Sequence, residues 1–301
     1  MFVIRNKSIF FIISGLLVLA SIVFISMWGL RPSVDFTGGA IVEVSYASST
    51  PSTEAISTAL ATAGFEDALV RTAGENGYNI RMRPLAEGDN ATIVSTLSAL
   101  GSGMQVERVS SVGPTVGQEL RKKTTIAIIL VVLMIILYIA FVFRKVAKPV
   151  SSWNYGLVAI VTLLHDIIIP TGVFAILGHF AGLEADTLFV VAILTILGLS
   201  VNDTIVVFDR IRENLRVNGE KNINQPFDQT VGKSLEQTYV RSFNTSFTVI
   251  LVLLVLFFLG GPTIHSFVLT LLVGQIAGTY SSIFIASPLL VVIGNRKLKK
   301  A

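Results

Sequence analysis

The sequence predicts a polytopic α-helical membrane protein of six transmembrane helices, with a small α+β domain outside the membrane between the first two. Three observations predict it. Of 301 residues, 52% are hydrophobic and only 14% charged, and the mean hydropathy of +0.74 lies well outside the range of soluble domains. Six stretches reach the roughly 20 apolar residues needed to cross a hydrocarbon core. The block from residue 31 to 123, by contrast, alternates and turns like soluble protein.

The six stretches run Ile9 to Leu30, Thr124 to Phe143, Asn154 to Gly178, Thr187 to Phe208, Ser242 to Leu259, and Ile264 to Ile293.

 
Lipid offers the backbone no hydrogen-bond partners, so each stretch is expected as a helix. The first (residues 1–30) carries Arg5 and Lys7 ahead of its apolar core, as a signal peptide does, but it is too long and has no small-x-small cleavage site before Arg31, so it is expected to stay as an anchor. Lys and Arg in short connections set orientation. Arg144, Lys145 and Lys148 lie between spans two and three. Arg210, Arg212, Arg216, Lys221, Lys233 and Arg241 lie between four and five, and Arg296, Lys297, Lys299 and Lys300 follow six. The other short connections have neither residue type, so the N- and C-termini are expected in the cytoplasm of a multi-pass inner (plasma) membrane protein, with residues 31–123 on the far side. Arg121, Lys122 and Lys123 run against this count, but a long translocated segment is largely exempt from it.

Within the block, "GAIVEVSY" (Gly39 to Tyr46) alternates at period two, and "PSTEAISTALATAG" starts with Pro51 and Ser52 and stops at Gly64, as a short helix does. "ALVRTA" and "YNIRMRP" flank the turn "GENG" and predict a hairpin. A second helix, "DNATIVSTLSALG", and a last strand, "MQVERVSSVG", complete a strand-helix-strand-strand-helix-strand order, that of a ferredoxin-like domain. This fold hosts many functions and selects none. In "SVDFTGG", Gly38 and Gly39 allow positive φ, and a sharp turn into the first strand is expected.

Residues 124–301 form the five-helix remainder, with a cytoplasmic loop at 209–241 in which Val231, Leu235 and Tyr239 recur at four-residue spacing, as in a short helix lying at the membrane interface. In span six, "GQIAG" (Gly274 to Gly278) is a small-xxx-small packing face, expected to pack within the chain, with Gln275 placed to hydrogen-bond across helices.

Several function classes find no support. With no cysteine, disulfides, thiol catalysis and cysteine-ligated metal are excluded. The net charge of +4 comes from basic residues at span ends, so a nucleic-acid partner is not indicated. No Gly-rich phosphate loop, nucleophile elbow or paired catalytic carboxylates occur in the soluble parts, and no enzyme and no cofactor are expected. Chemistry is expected instead where ionisable residues enter the membrane, since an Asp at a helix centre costs on the order of 2.5 to 3.5 kcal/mol. Span three holds His165 and Asp166 in "LLHDIIIP", span four Asn202 and Asp203 in "SVND", and span five opens with Arg241, Asn244, Thr245 and Ser246 in "RSFNTS". Facing one another would satisfy all of them. Pro170 deprives the Asp166 carbonyl of its helical partner and predicts a kink there, and Ser200, three residues before Asp203, shares its face. Burial and a nearby Arg241 push a carboxylate's protonation in opposite directions, so Asp203 is a candidate proton carrier, with the proton as coupling ion; the alternative is a permanent bond that glues spans together. For His165 the same two roles stay open. A metal held by His165, Asp166 and Asp203 is disfavoured because adjacent helical residues point about 100° apart.

Together, "VDFTGGA", "SVGPTVGQEL", the "HD" of span three, "LSVNDTIVVFDRIREN" and "RSFNTS", in this order along nearly the whole chain, resemble the SecF branch of the SecD/SecF family. The resemblance implies a subunit that pairs with SecD in a pseudo-symmetric bundle related to the resistance-nodulation-division transporters. Such a pair uses the proton-motive force to help draw preproteins out of the SecYEG channel. It also implies that Asp203 is the relay carboxylate and Arg241 a basic residue acting with it; Asn202, His165 and Asp166 match less securely, and Leu199 stands where an aromatic is frequent. A proton-driven exporter of small molecules or lipids is the competing reading. It needs a substrate cavity that the small external block is poorly sized to form.

Overall fold

The computed structural model describes residues 2–47, 50–74, 76–143 and 150–298. Glu75 of the predicted turn, the basic residues Arg144, Lys145 and Lys148, and Lys299 and Lys300 lie outside the described residues, as do the side chains of Ser152, Pro262 and 296–298. The chain divides into two compact units: Pro32–Ile126, and Met1–Arg31 with Ala127–Ala301.

The smaller unit contains a short helix α3 (Val34–Thr37), strands β1 (Gly39–Tyr46), β2 (Leu69–Ala73), β3 (Gly77–Met82) and β4 (Met104–Val112), and helices α4 (Thr53–Thr62) and α5 (Asp89–Ser98). The sheet order is β2-β3-β1-β4, antiparallel at every pairing, which is the ferredoxin-like arrangement. Ser52 caps α4 by accepting the Ala55 N–H at 3.1 Å. Ile56 and Leu60 on α4, with Ile93 and Leu97 on α5, sit one helical turn apart and bury against Val42, Val44 and Ile80 of the sheet. Tyr46 joins this core and donates its hydroxyl to the Leu97 carbonyl at 3.0 Å; burial first, and Tyr78 second, push its phenol pKa up. The turn expected at "SVDFTGG" is a four-residue helix, α3, capped by Ser33, whose side chain accepts from the Asp35 N–H. Only after it do Gly38 (φ 76) and Gly39 (φ 122) turn the chain, and a Cβ on Gly38 would stand 2.8 Å from the Pro114 Cα.

The larger unit begins with α1 (Phe2–Arg5) and α2 (Lys7–Trp28) and continues through α6 (Pro114–Val142), which enters from the smaller unit, and α7 (Ser152–Phe180), α8 (Thr187–Glu220), α9 (Phe227–Leu259), α10 (Pro262–Ser281) and α11 (Ser287–Leu298). Six of the described helical segments are long and apolar enough to cross a membrane. Large apolar side chains of α2, α6 and α9 lie on the outside of the unit, as lipid-facing residues do. α7 runs unbroken through Pro170.

Three features differ from the sequence expectation. The helix of span four extends to Glu220, and the segment expected as a separate interfacial helix is the start of the helix of span five, so Val231 and Leu235 are core residues while Tyr239 is exposed. Pro226 precedes that start, and no proline interrupts α9 before it stops at Gly260. Asn222 takes φ 50 just beyond the end of α8. Polar rungs then tie the two extensions together: Asn214 Nδ2 donates to Ser234 Oγ and Gln237 Oε1, both at 2.8 Å, and Arg210 Nε donates to Gln237 Oε1 at 2.7 Å. The third difference lies in span six, where α10 passes into a π-helical turn, Ser282–Ala286, before α11. Pro288 explains the place. An α-helix would pair the Phe284 carbonyl with an N–H that proline lacks, and the pyrrolidine ring crowds that carbonyl, a conflict the wider π turn relieves.

Candidate functional site

Of the expected intramembrane residues, His165, Asp166, Asp203 and Ser246 are buried where α7, α8, α9 and α10 pack against one another. Small residues allow the close approach. A Cβ on Gly278 would stand 3.1 Å from the Ser200 Cβ, and one on Gly274 would enter the side chain of Ile196, so "GQIAG" packs within the chain against α8. Gln275 is buried but donates within its own helix, to Thr279 Oγ1 at 3.3 Å, rather than across to another.

Two polar clusters occupy this interior. In the first, Asp166 is fully buried (0%) and His165 nearly so. His165 Nδ1 lies 2.8 Å from Asp166 Oδ1; adjacent residues thus meet through their side chains, although their Cβ directions diverge. Ser200 of α8 donates to Asp166 Oδ2, and Ser281 at the end of α10 donates to the same oxygen at 2.8 Å. Asp166 therefore ties three spans together. The His165 ring stacks beside Tyr280 with centroids 6.3 Å apart, and Tyr280 donates to the Phe10 carbonyl of α2 at 3.2 Å.

In the second cluster, Asp203 is 6% exposed and accepts from Ser246 Oγ of α9 at 3.0 Å. Ser242, one turn away on the same face of α9, is also buried. Thr204, the residue after Asp203, shares a 3.0 Å hydrogen bond with Ser282 of the π turn. Ser200 and Asp203 thus form the polar stripe expected of α8, one serving each cluster.

The structure does not bring every expected residue inward. Arg241 and Asn202 are exposed on the larger unit, and among the described residues Arg241 makes no ion pair with Asp203. Asn244 and Thr245 are also exposed, whereas Ser246, from the same "RSFNTS" run, reaches Asp203. Sequence reasoning missed Thr204, Ser281 and Ser282. The available signal was a pair of adjacent serines in an apolar span, six residues before Pro288. Among the described residues, no three His, Cys, Asp or Glu side chains gather as metal ligands would.

Comparison with known proteins adds to this geometry. The family model described as "Protein export membrane protein SecD/SecF, C-terminal" matches residues 92–296. The chain belongs to the SecD/SecF family. Among relatives of the SecF branch, the "Protein translocase subunit SecF" of Thermobaculum terrenum is 43% identical over 98% of this chain and 94% of its own. That of Anaerolinea thermophila is 36% identical over 96% and 93%. The crystal structure of SecDF, a translocon-associated membrane protein from Thermus thermophilus, superposes with a TM-score of 0.82 at 31% identity over 97% of this chain. SecDF in a super-membrane-facing form gives 0.65 over 99%. The chain spans 38% and 39% of those two SecDF chains, so it corresponds to one part of them. As a SecF-type chain it is a multi-pass membrane protein of the protein-export machinery.

Proposed function

We propose that the chain is the SecF half of a proton-driven accessory to the Sec translocase, in which Asp203 takes up and releases the proton that powers late steps of preprotein export. The single observation that carries this reading is a carboxylate buried among membrane helices whose partner on the next span, among the described residues, is a neutral hydroxyl, that of Ser246. A hydroxyl can accommodate either charge state, because it donates to the carboxylate and accepts from the acid.

Two further features support a SecD partner. Asn202 and Asn244 are exposed on α8 and α9, and an amide left in hydrocarbon without a partner costs several kcal/mol. A second membrane protein seated on this face would satisfy them, and would bring the exposed Arg241 to a protein interior rather than to lipid. The Thermus relative, moreover, carries its SecF-like part in a longer SecDF chain. The basic residues Arg210, Arg212 and Arg216 of α8, Lys221 after it and Lys233 of α9 favour placing these extensions, with both termini, in the cytoplasm. One proton crossing 100 mV releases about 2.3 kcal/mol, enough to exchange two conformations of similar energy. SecYEG and its preproteins would then receive the resulting movement.

The test replaces Asp203 with Asn in the full chain. Export that depends on the proton-motive force is expected to fall to the level of a strain lacking the protein, while co-purification with SecD persists. Undiminished export from the variant would show that Asp203 is not the relay.

A further inference from the structure

The two clusters are joined at one backbone atom. The Gly278 carbonyl lies within reach of three donors: the backbone N–H of Ser282, Ser281 Oγ at 3.1 Å and Ser282 Oγ at 2.9 Å. A carbonyl oxygen has two lone pairs. With one taken by the backbone N–H, the two serine hydroxyls compete for the other. Each has a second partner in a different cluster: Ser281 has Asp166, and Ser282 has Thr204. All three hydroxyl residues are at most 2% exposed, so bulk water does not relieve the competition.

We propose that Ser281, Ser282 and Thr204 form a hydroxyl relay, switched at the Gly278 carbonyl, through which the charge state of Asp166 sets the hydrogen-bonding environment of Asp203. When Asp166 is ionised, Ser281 donates to it, since a bond to a charged acceptor is the stronger one. Ser282 then donates to Gly278, and Thr204 donates to Ser282. When Asp166 is neutral, Ser281 turns to Gly278, Ser282 turns to Thr204, and the hydroxyl of Thr204, the residue that follows Asp203 on α8, reverses from donor to acceptor. No covalent bond breaks and no proton leaves its oxygen; three hydroxyls rotate. The π turn begins at Ser282, the second of the two adjacent serines, which address different helices.

The ionisable groups around the relay are His165 and Asp166 from α7, Asp203 from α8 and Tyr280 from α10; α9 contributes Ser246, with Arg241 exposed. Ser281, Ser282 and Thr204 are positioning residues, since they act through the carboxylates.

The inference rests on Asp203 being the proton carrier, and its test is independent of export. The protonation of Asp203 is followed by infrared difference spectroscopy on the full chain in lipid nanodiscs, its band assigned with Asp203→Asn. Asp166→Asn is expected to move the Asp203 midpoint in the otherwise native chain by at least about half a pH unit more than in the Ser281→Ala/Ser282→Ala background. Ser281→Thr/Ser282→Thr, which keeps both hydroxyls, should retain native coupling. Ser282→Ala alone breaks the same relay and serves if the alanine pair does not fold. An equal shift in both backgrounds would overturn the relay and assign the coupling to the direct field of Asp166. So would a folded threonine pair that behaves like the alanine pair. If Asp203 shows no titration in any variant, this inference and the proposed function both fail; if it titrates with equal shifts, only the relay fails.

Discussion

Gly278→Ala probes packing and site at once. The added Cβ would sit 3.1 Å from the Ser200 Cβ and 3.5 Å from its Cα, against a comfortable carbon separation of roughly 3.5 to 4.0 Å. The first of these atoms is fixed to the backbone of α8, so no rotamer change removes the conflict and the helices must part by a few tenths of an ångström. Overpacking of this kind costs about 1 to 3 kcal/mol, and the better helix propensity of alanine returns about 1 kcal/mol. The net loss is up to about 2 kcal/mol, or as much as about 30-fold in the ratio of folded to unfolded chain. Because Ser200 also donates to Asp166, the displacement reaches the buried carboxylate. The assay is detergent-induced unfolding of the purified chain in a double-mutant cycle with Ser200→Gly, which removes the opposing atom. The combined variant should be more stable than the sum of the single losses predicts, by about 0.5 kcal/mol or more. Strictly additive losses would refute the contact as the cause.

Further perturbations separate other parts of the argument. Pro288→Ala supplies the missing N–H, so a structure of the variant should show α-helix through residues 282–286; a persistent π turn would mean that proline is not its cause. Tyr46→Phe removes the hydroxyl that serves the buried Leu97 carbonyl, and hydrogen exchange of β1 amides should quicken about fivefold, for a loss near 1 kcal/mol. The Asp89 carboxyl is held below the usual carboxylate range, first by the Ala86 N–H and then by Arg83. Its contribution to stability is therefore present above the unfolded pKa of about 4 and is lost as pH falls through the lower folded value. The stability gap between wild type and Asp89→Asn should close on acidification, and a gap constant with pH in thermal unfolding would contradict this. Gln237→Ala deletes the acceptor shared by Arg210 and Asn214 and should speed amide exchange in the α8 and α9 extensions while leaving the spans protected.

Apolar length made the six spans legible, and period-two alternation with punctuating Gly and Pro made the ferredoxin-like order legible, because both patterns are local. What stayed hidden depended on context. Val231 and Leu235 carry a helical period that reads equally well as a surface helix or as part of a longer core helix, and only their packing against other elements decides between them. His165, Asp166 and Asp203 stood out because charge in an apolar span is costly. Ser281 and Ser282 did not, since serines are cheap there and their importance comes from two helices distant in sequence. Arg241 belongs to the same run of residues as Ser246, yet helical periodicity turns it away from the face that meets Asp203.

At a rise of 1.5 Å per residue, the 34 residues of α8 measure about 51 Å, against a hydrocarbon layer of about 30 Å. Some 20 Å of rigid rod thus stands in water, cross-braced to α9. A swing of 5° centred on Asp203 displaces the end of that rod by about 2 Å over its roughly 25 Å length. On the proposed proton-carrier role of Asp203, a change of one hydrogen atom deep in lipid would thereby be magnified, like the needle of a dial, at the far end of the rod.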